Sequence, residues 1–587
     1  MDRMDSIVMD AEAGDLPGES FPSVTRQEAE HASPVAFDGL FGWLHAAGGC
    51  RGVVICNPLG YTTLLCQPAL RALADSIARA GLPCLRFDYP SEGDSLGAPG
   101  DPGRVAAWID SATRAVDHLV TLCGVEEVAL VGLEFGALAA LEAASRRRES
   151  VRGVVLLAPP ASGRALVRQL RADAAMAASD TGQKLEAEDG GFFVAGFEYS
   201  RVTLDEIGGL TLKVEAAPER TLVLSRSEAP PGLGERAETR KFAGYAAMLG
   251  ARVLPHIPQE DWRGVADWLA KDASAPRRSA PPLRAPATLA GDGFDETALR
   301  FGAGGDLAGV LCAPAKGGSD GCAILINTGA NSHVGWARGG VLLSRRLACE
   351  AGIGALRMDL RGLGESVTLP GGARETLYEV ERTRDILEAV AFMKSRGYRR
   401  ITLVGQCSGA YAALHAALRC ADVAGLVLIN QLRFIWGADE NIDDAVAQPG
   451  RSSDAYLSMW RNGEALRRLL RGEAPLSGLF RAAQKLGKRG ALALREAVSS
   501  LLKPPPKPDT PEAWLHQLAA RGVVMHLLFS EDDASLDEFA RYFGRRDWRV
   551  RRIAGLERAI LKDADHSLSS PEARAVLFEH VRAATMS

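Results

Sequence analysis

Short runs of consecutive aliphatic residues recur along the chain: VVIC, VALV and VVLL in its first half, AILI, ITLV and LVLI in its second. Runs that are apolar at every position predict strands covered on both faces, as in a parallel sheet. Between them lie stretches with helical character, such as LADSIARAGLP and LSRRLACEAGI. Strands alternating with helices predict an α/β fold, a mostly parallel sheet with crossover helices on its faces.

The pattern occurs twice. RFDYPSEGDS (Arg86 to Ser95) returns as RMDLRGLGES (Arg357 to Ser366), 271 residues on. VALVGLEFGALAAL returns as ITLVGQCSGAYAAL, with Glu134 and Cys407 in corresponding places 273 residues apart. GVVLLAPP then corresponds to GLVLINQL. A near-constant offset predicts two tandem domains of one fold. The stretch between them, KDASAPRRSAPPLRAPATLAGDG, is rich in Pro, Ala and Arg and reads as a linker. The expected layout is a loose tail over 1–33, a first domain over 34–271, a linker over 272–292 and a second domain over 293–587.

Composition narrows the function classes. The 587 residues are 47% hydrophobic with a net charge of -5, so no global charge argues for nucleic-acid or membrane partners. Ten dispersed cysteines form no C-x-x-C pair, which argues against a disulfide framework and for a reducing, cytoplasmic setting. The acidic N-terminus lacks the basic-then-apolar pattern of a secretion signal, and no apolar run is long enough to span a bilayer. No metal-ligand cluster and no nucleotide fingerprint is legible, so neither a metal nor a cofactor is expected.

VGQCSGA carries the chemistry. Gly405 and Gly409 flank Cys407 at the spacing of a sharp strand-to-helix turn that presents a nucleophile, where residues two positions away on either side must be small. Together with the preceding strand, the small-residue helix after it and the R-x-D-x-x-G-x-G-[DE]-S segment, both halves resemble the α/β-hydrolase superfamily. The resemblance covers roughly 35–270 and 293–585. It implies two tandem α/β-hydrolase domains, each with a helical insert capping the sheet; in the second half that cap is expected over about 432–518. It also implies a nucleophile–acid–histidine order, met by Cys407, then Asp533 (with Asp532 second in preference), then His566. Oxyanion donors are expected from the backbone N–H groups of Ser408 and, by alignment of TGA with the family's His-Gly-x, Ala330. Thr328 departs from that motif.

The first half departs further. Glu134 stands at the nucleophile position, the acid strand ends toward Glu228, and the histidine region offers only His256. Related dehalogenase-like hydrolases use Asp there, but Glu is longer by a methylene and misplaces the reactive oxygen. The expectation is a pseudo-active site in the first half. Asp88 and Asp359, with Asp94/Ser95 and Glu365/Ser366, recur in both copies, so they are read as structural, holding the turn after their strand.

A cysteine nucleophile makes a thioester, and a thioester substrate exchanges with a thiolate at little thermodynamic cost. The expected activity is therefore that of an acyl hydrolase or acyltransferase on thioesters or activated esters. Phe434, Ile435, Trp436, Tyr456, Met459, Trp460 and Phe480 could line an acyl pocket or form the cap's own core. Residues 461–508 hold seven Arg and four Lys against three Glu. Such a face would fit coenzyme A or a phosphopantetheine arm on an acyl carrier protein, or be a solvated helical surface. Two other readings compete: a non-catalytic scaffold binding acyl groups or a carrier protein, and a hydrolase acting through Glu134.

Overall fold

A computed structural model describes residues 32–181, 186–227, 237–250, 256–273, 287–367, 382–437, 509–544 and 549–587, with positions 233, 377–378, 440, 442 and 452. The expected tail (all but its last two residues), Glu228, most of the cap and the basic stretch 461–508 lie outside the described residues.

The first half contains β1 (Ser33–Phe37), β2 (Leu40–His45), β3 (Arg51–Cys56), β4 (Cys84–Phe87), β5 (Glu127–Leu133), β6 (Val151–Leu157), the hairpin β7 (Phe192–Val194) and β8 (Phe197–Tyr199), then β9 (Arg220–Ser225) and β10 (Glu238–Lys241). The second contains β11 (Ala287–Ala290), β12 (Phe294–Phe301), β13 (Leu307–Pro314), β14 (Gly321–Ile326), β15 (Gly354–Asp359), β16 (Arg400–Gln406), β17 (Val423–Ile429), β18 (Val524–Ser530) and β19 (Leu556–Leu561). The sheet orders are β1-β2-β4-β3-β5-β6-β9-β10 and β11-β12-β13-β15-β14-β16-β17-β18-β19. In each sheet the first strands are antiparallel and the remainder parallel.

The duplication extends to irregularities. Register shifts fall at Val128/Ala129 in one sheet and Ile401/Thr402 in the other. The apolar runs of the sequence are the central strands, buried on both faces by helices such as Phe135–Arg146 and Ser408–Arg419. One boundary differs from expectation. Strand β11 falls inside the Pro-rich stretch read as linker, because Ala287 and Leu289 bury against Phe41, Ala298 and Val310.

That cluster belongs to the junction between the halves, where the repeated Arg and acidic positions meet crosswise. Arg86 pairs with Glu365 (2.7 Å), and its counterpart Arg357 pairs with Asp94 (2.9 Å). These are the two ends of one pseudo-twofold contact, the geometry of an isologous dimer joined into a single chain. His333 lies between Asp94 (2.7 Å) and Asp359 (2.6 Å). Burial alone would lower its pKa, but the two carboxylates raise it well above the usual histidine range. Arg338 donates to the backbone oxygens of Ser91, Gly93, Ser95 and Gly97 across the junction. The structural reading of the repeated segment is thus half the account. Asp88 and Asp359 do accept from the turn's backbone, through Asp94 N–H (3.0 Å) and Glu365 N–H (2.9 Å). The Asp94 and Glu365 side chains, however, reach into the opposite half.

Candidate active site

Strand β16 runs into the helix Ser408–Arg419 through Cys407, held at φ 54° and ψ -117°. Its counterpart Glu134 has φ 51° and ψ -110°. A non-glycine residue in this region is strained and stays there only when its surroundings over-determine it. Here the flanking glycines do so: a Cβ at Gly405 would sit 2.2 Å from the Gly409 carbonyl oxygen, and one at Gly409 would sit 2.4 Å from the Asn327 carbonyl oxygen. Any larger residue would push the turn apart.

Three elements distant in sequence converge on Cys407. His566, in the loop after β19, sits beside the thiol, and its Nδ1 lies 2.7 Å from Asp533 Oδ2. Asp533 follows β18 and is buried; its other oxygen accepts from Ser535 N–H (2.8 Å) and from the Ser535 hydroxyl (2.5 Å). Asp532 is exposed and makes no such contact with the imidazole among the described residues. Burial works against the imidazolium, yet Asp533, by charge and hydrogen bond, and then Cys407 raise the His566 pKa well above the usual value. The His566 carbonyl is fixed by the Asn430 side-chain amide (2.9 Å) and by that of Gln406. Ser530 Oγ holds the neighbouring Asp565 carbonyl (2.8 Å).

The turn Thr328–Asn331 faces the elbow. Ser408 Oγ accepts from Gly329 N–H (2.9 Å), and Thr328 Oγ1 donates to the Gln406 carbonyl (3.2 Å). Ala330 packs half-buried beside them. No acceptor among the described residues occupies its N–H or that of Ser408.

Tyr378 was missed by sequence reasoning. Its hydroxyl lies beside Cys407. Its ring stacks on Trp436 at 4.5 Å and meets Tyr411 edge-on at 5.4 Å. Burial, and then the negative charge of Cys407, raise its pKa. Of the expected cap aromatics, Phe434 is in the core, Trp436 stacks on Tyr378 and Ile435 is exposed. Tyr456, Met459, Trp460 and Phe480 lie outside the described residues.

The first half gives a different picture at its own elbow. Glu134 is buried and accepts from the Tyr245 hydroxyl and from Gln169 Nε2 (2.9 Å). Tyr245 follows β10 much as His566 follows β19, so a phenol occupies the histidine's place. His256, the sequence candidate, is exposed just before the helix Gln259–Ala270.

The family model described as "Alpha/beta hydrolase family" matches residues 323–577, which span the elbow, the acid and the histidine. The second half of the chain thus matches the α/β-hydrolase family. The protein is thereby an enzyme of the α/β-hydrolase type. Solved structures resembling this α/β-hydrolase chain include three bacterial proteins. One is an a/b serine hydrolase without a lid from Xanthomonas campestris, with 14% identity, TM-score 0.27, and coverage of 44% of this chain and 100% of that one. Another is a putative hydrolase from Agrobacterium vitis, with 18% identity, TM-score 0.28, and coverage of 41% and 98%. The third is Est1E from Butyrivibrio proteoclasticus with ferulic acid bound, with 15% identity, TM-score 0.29, and coverage of 41% and 97%. No curated protein matches the chain. Among the described residues, no helix is long and apolar enough to cross a membrane.

Proposed function

We propose that the second half transfers acyl groups from thioesters or activated esters through a covalent Cys407 intermediate. The observation that carries this is the convergence of His566, backed by Asp533, on a thiol held at the strained elbow. The thiolate attacks the acyl carbon, forming an Sγ–C bond. The oxyanion is met by the N–H groups of Ser408 and Ala330. As the bond to the departing thiol breaks, the His566 imidazolium gives that thiol its proton. Water or an acceptor then attacks the enzyme thioester, His566 takes its proton, and the Cys407 thiolate leaves. Asp533 fixes the tautomer that points Nε2 at the sulfur and steadies the imidazolium. Coenzyme A or an acyl carrier protein is the carrier chemistry this reading favours.

Intact-protein mass spectrometry after exposure to a panel of acyl thioesters tests the proposal. An added acyl mass is expected on the wild type, on His566→Ala at a slower rate, and on Glu134→Gln, and is expected to be absent from Cys407→Ala. An adduct or turnover that survives Cys407→Ala but not Glu134→Gln would instead place the chemistry in the first half. The Tyr245 phenol beside Glu134, in the place of a histidine base, argues against that outcome.

Two variants test the groups around the thiol. Asp533→Asn removes the charge that raises the His566 pKa. The alkaline limb of the rate profile for acyl-enzyme formation, where the imidazolium loses its proton, then moves to lower pH. The maximal rate falls by roughly 10³–10⁴, the scale of losing the orienting carboxylate. Tyr378→Phe removes the hydroxyl beside Cys407. A hydrogen bond to a charged group is worth about 1.5 kcal/mol or more, so acyl-enzyme formation at fixed pH should slow roughly 10-fold. An unchanged rate would leave Tyr378 a packing residue.

A further inference from the structure

On β18, β19 and the final helix Pro571–Met586, three side chains far apart in sequence meet: His526, Glu557 and His580. The two Nδ1 atoms face each other at 2.8 Å. Each imidazole also faces its own oxygen of the one carboxylate, His526 Nδ1 to Oε2 at 3.5 Å and His580 Nδ1 to Oε1 at 3.9 Å. We propose that this cluster is a binding site for a first-row divalent cation, zinc above all, that clamps the last helix to the last two strands.

The spacing is the first argument. One ligand atom from each residue lies within 4.8 Å of the other two, so small side-chain shifts reach the edge of roughly 3.3 Å that metal–ligand bonds of about 2.0–2.1 Å set in a tetrahedral site. The donor set is the second. Two imidazoles and a carboxylate suit zinc, cobalt or nickel, whereas magnesium and calcium seek oxygen ligands alone. Three protein ligands with Glu557 open to solvent leave a fourth position for water.

The site is remote from Cys407. His526 lies near the start of β18, whereas Asp533 follows its far end, and four residues of strand alone span roughly 13 Å. Its effect is therefore mechanical. The loop carrying His566 runs from β19 to the final helix, and the cluster ties both of its anchoring elements to β18.

Cobalt is a direct probe, because its absorption reports both stoichiometry and geometry. The full-length chain is used with Cys407→Ala, so that the active-site thiol cannot hold the ion. One Co²⁺ per chain is expected, with tetrahedral d–d bands free of thiolate charge-transfer absorption, displaced by Zn²⁺. Zn²⁺ should also raise Tm. His526 is buried, so the tests use the two ligands that reach solvent. Against the same background, His580→Ala should weaken Co²⁺ binding roughly 100-fold or more and Glu557→Gln roughly 10-fold, at least the scale on which outer-shell partners act. The metal-free Tm of Glu557→Gln should match the parent. Failure to bind one equivalent, thiolate-type spectra, or affinity unchanged in both variants would overturn the proposal and leave a histidine–histidine hydrogen bond.

Discussion

Replacing Cys407 by alanine lowers kcat/KM for an acyl thioester by about 10⁴-fold or more, to what binding and the oxyanion pocket supply alone. The magnitude follows from the arrangement. Nucleophile, base and orienting acid act as one unit, so loss of the nucleophile removes nearly the whole effect and a second change adds little. Cys407→Ala/His566→Ala should therefore be scarcely slower than Cys407→Ala. Cys407→Ser is the sharper variant, because it keeps the elbow and the contact with His566 but replaces a good nucleophile with one far harder to ionise. It should bind substrate with an unchanged KM and turn over slowly. Activity in Cys407→Ala near that of the wild type would remove the second half from the chemistry altogether.

How far the sequence reveals this site depends on what kind of signal each residue leaves. The elbow is legible because close backbone approach demands glycine at both flanks, a requirement written in local spacing. Asp533 and His566 are legible only through chain order in a family resemblance, and the choice of Asp533 over Asp532 needed the 2.7 Å contact. Tyr378 left no trace, since a tyrosine between two elements has no periodicity and its meaning comes from Trp436 and Cys407 far along the chain. In the first half the histidine was sought by residue type, which pointed to His256. The topology put Tyr245 in that place instead. The His526–Glu557–His580 cluster escaped for a related reason: its members come from two strands and a helix with no motif spacing between them.

The junction shows the same limit from the other side. Repetition of Arg86 and Arg357 was plain in the sequence, and repetition argued for a local structural role. Nothing in a one-dimensional repeat tells a contact within each copy from a contact between copies. Both kinds are present here, and the crosswise pairs bind the inactive-looking half to the active one. The hairpin β7–β8 of the first half adds to this, since Trp336 Nε1 donates to the Ala195 carbonyl (2.6 Å) and Gly196 lies against Ser569 in the histidine loop. The first half thus touches the loop that carries His566, whatever Glu134 itself does.

Replacing Arg357 by methionine should cost about 3–5 kcal/mol of stability, the scale for removing one partner from a buried ion pair. Arg357 is fully buried and pairs with Glu296 (2.6 Å) as well as Asp94, so the variant strips compensation from two buried carboxylates, one on each side of the junction. The exposed pair Arg147–Asp117 is the control, and Arg147→Met should cost less than about 1 kcal/mol. Calorimetry should show one transition for the wild type and a broader or split one for Arg357→Met, because the halves then lose one of the buried contacts that couple their melting. The pH dependence carries a sign that checks the same contact. Arg86 and Arg71 overcome burial to hold Glu365 at about 2, below its unfolded value, so its contribution is full above roughly pH 4.3 and is lost as pH falls toward 2. Asp88 runs the other way. Burial and the Asp94 carboxylate push it to about 7, so its contribution is full below roughly pH 3.9 and is lost as pH rises through 7. Asp88→Asn should therefore flatten the fall in Tm between about pH 4 and 7 while leaving the acid limb set by Glu365 in place. Arg86→Met should do the reverse, removing the acid limb that depends on the junction. A wild-type Tm unmoved by acid, or a single sharp transition retained in Arg357→Met, would mean that the remaining junction contacts, among them the apolar cluster around Phe41 and Leu289, hold the halves together without this pair.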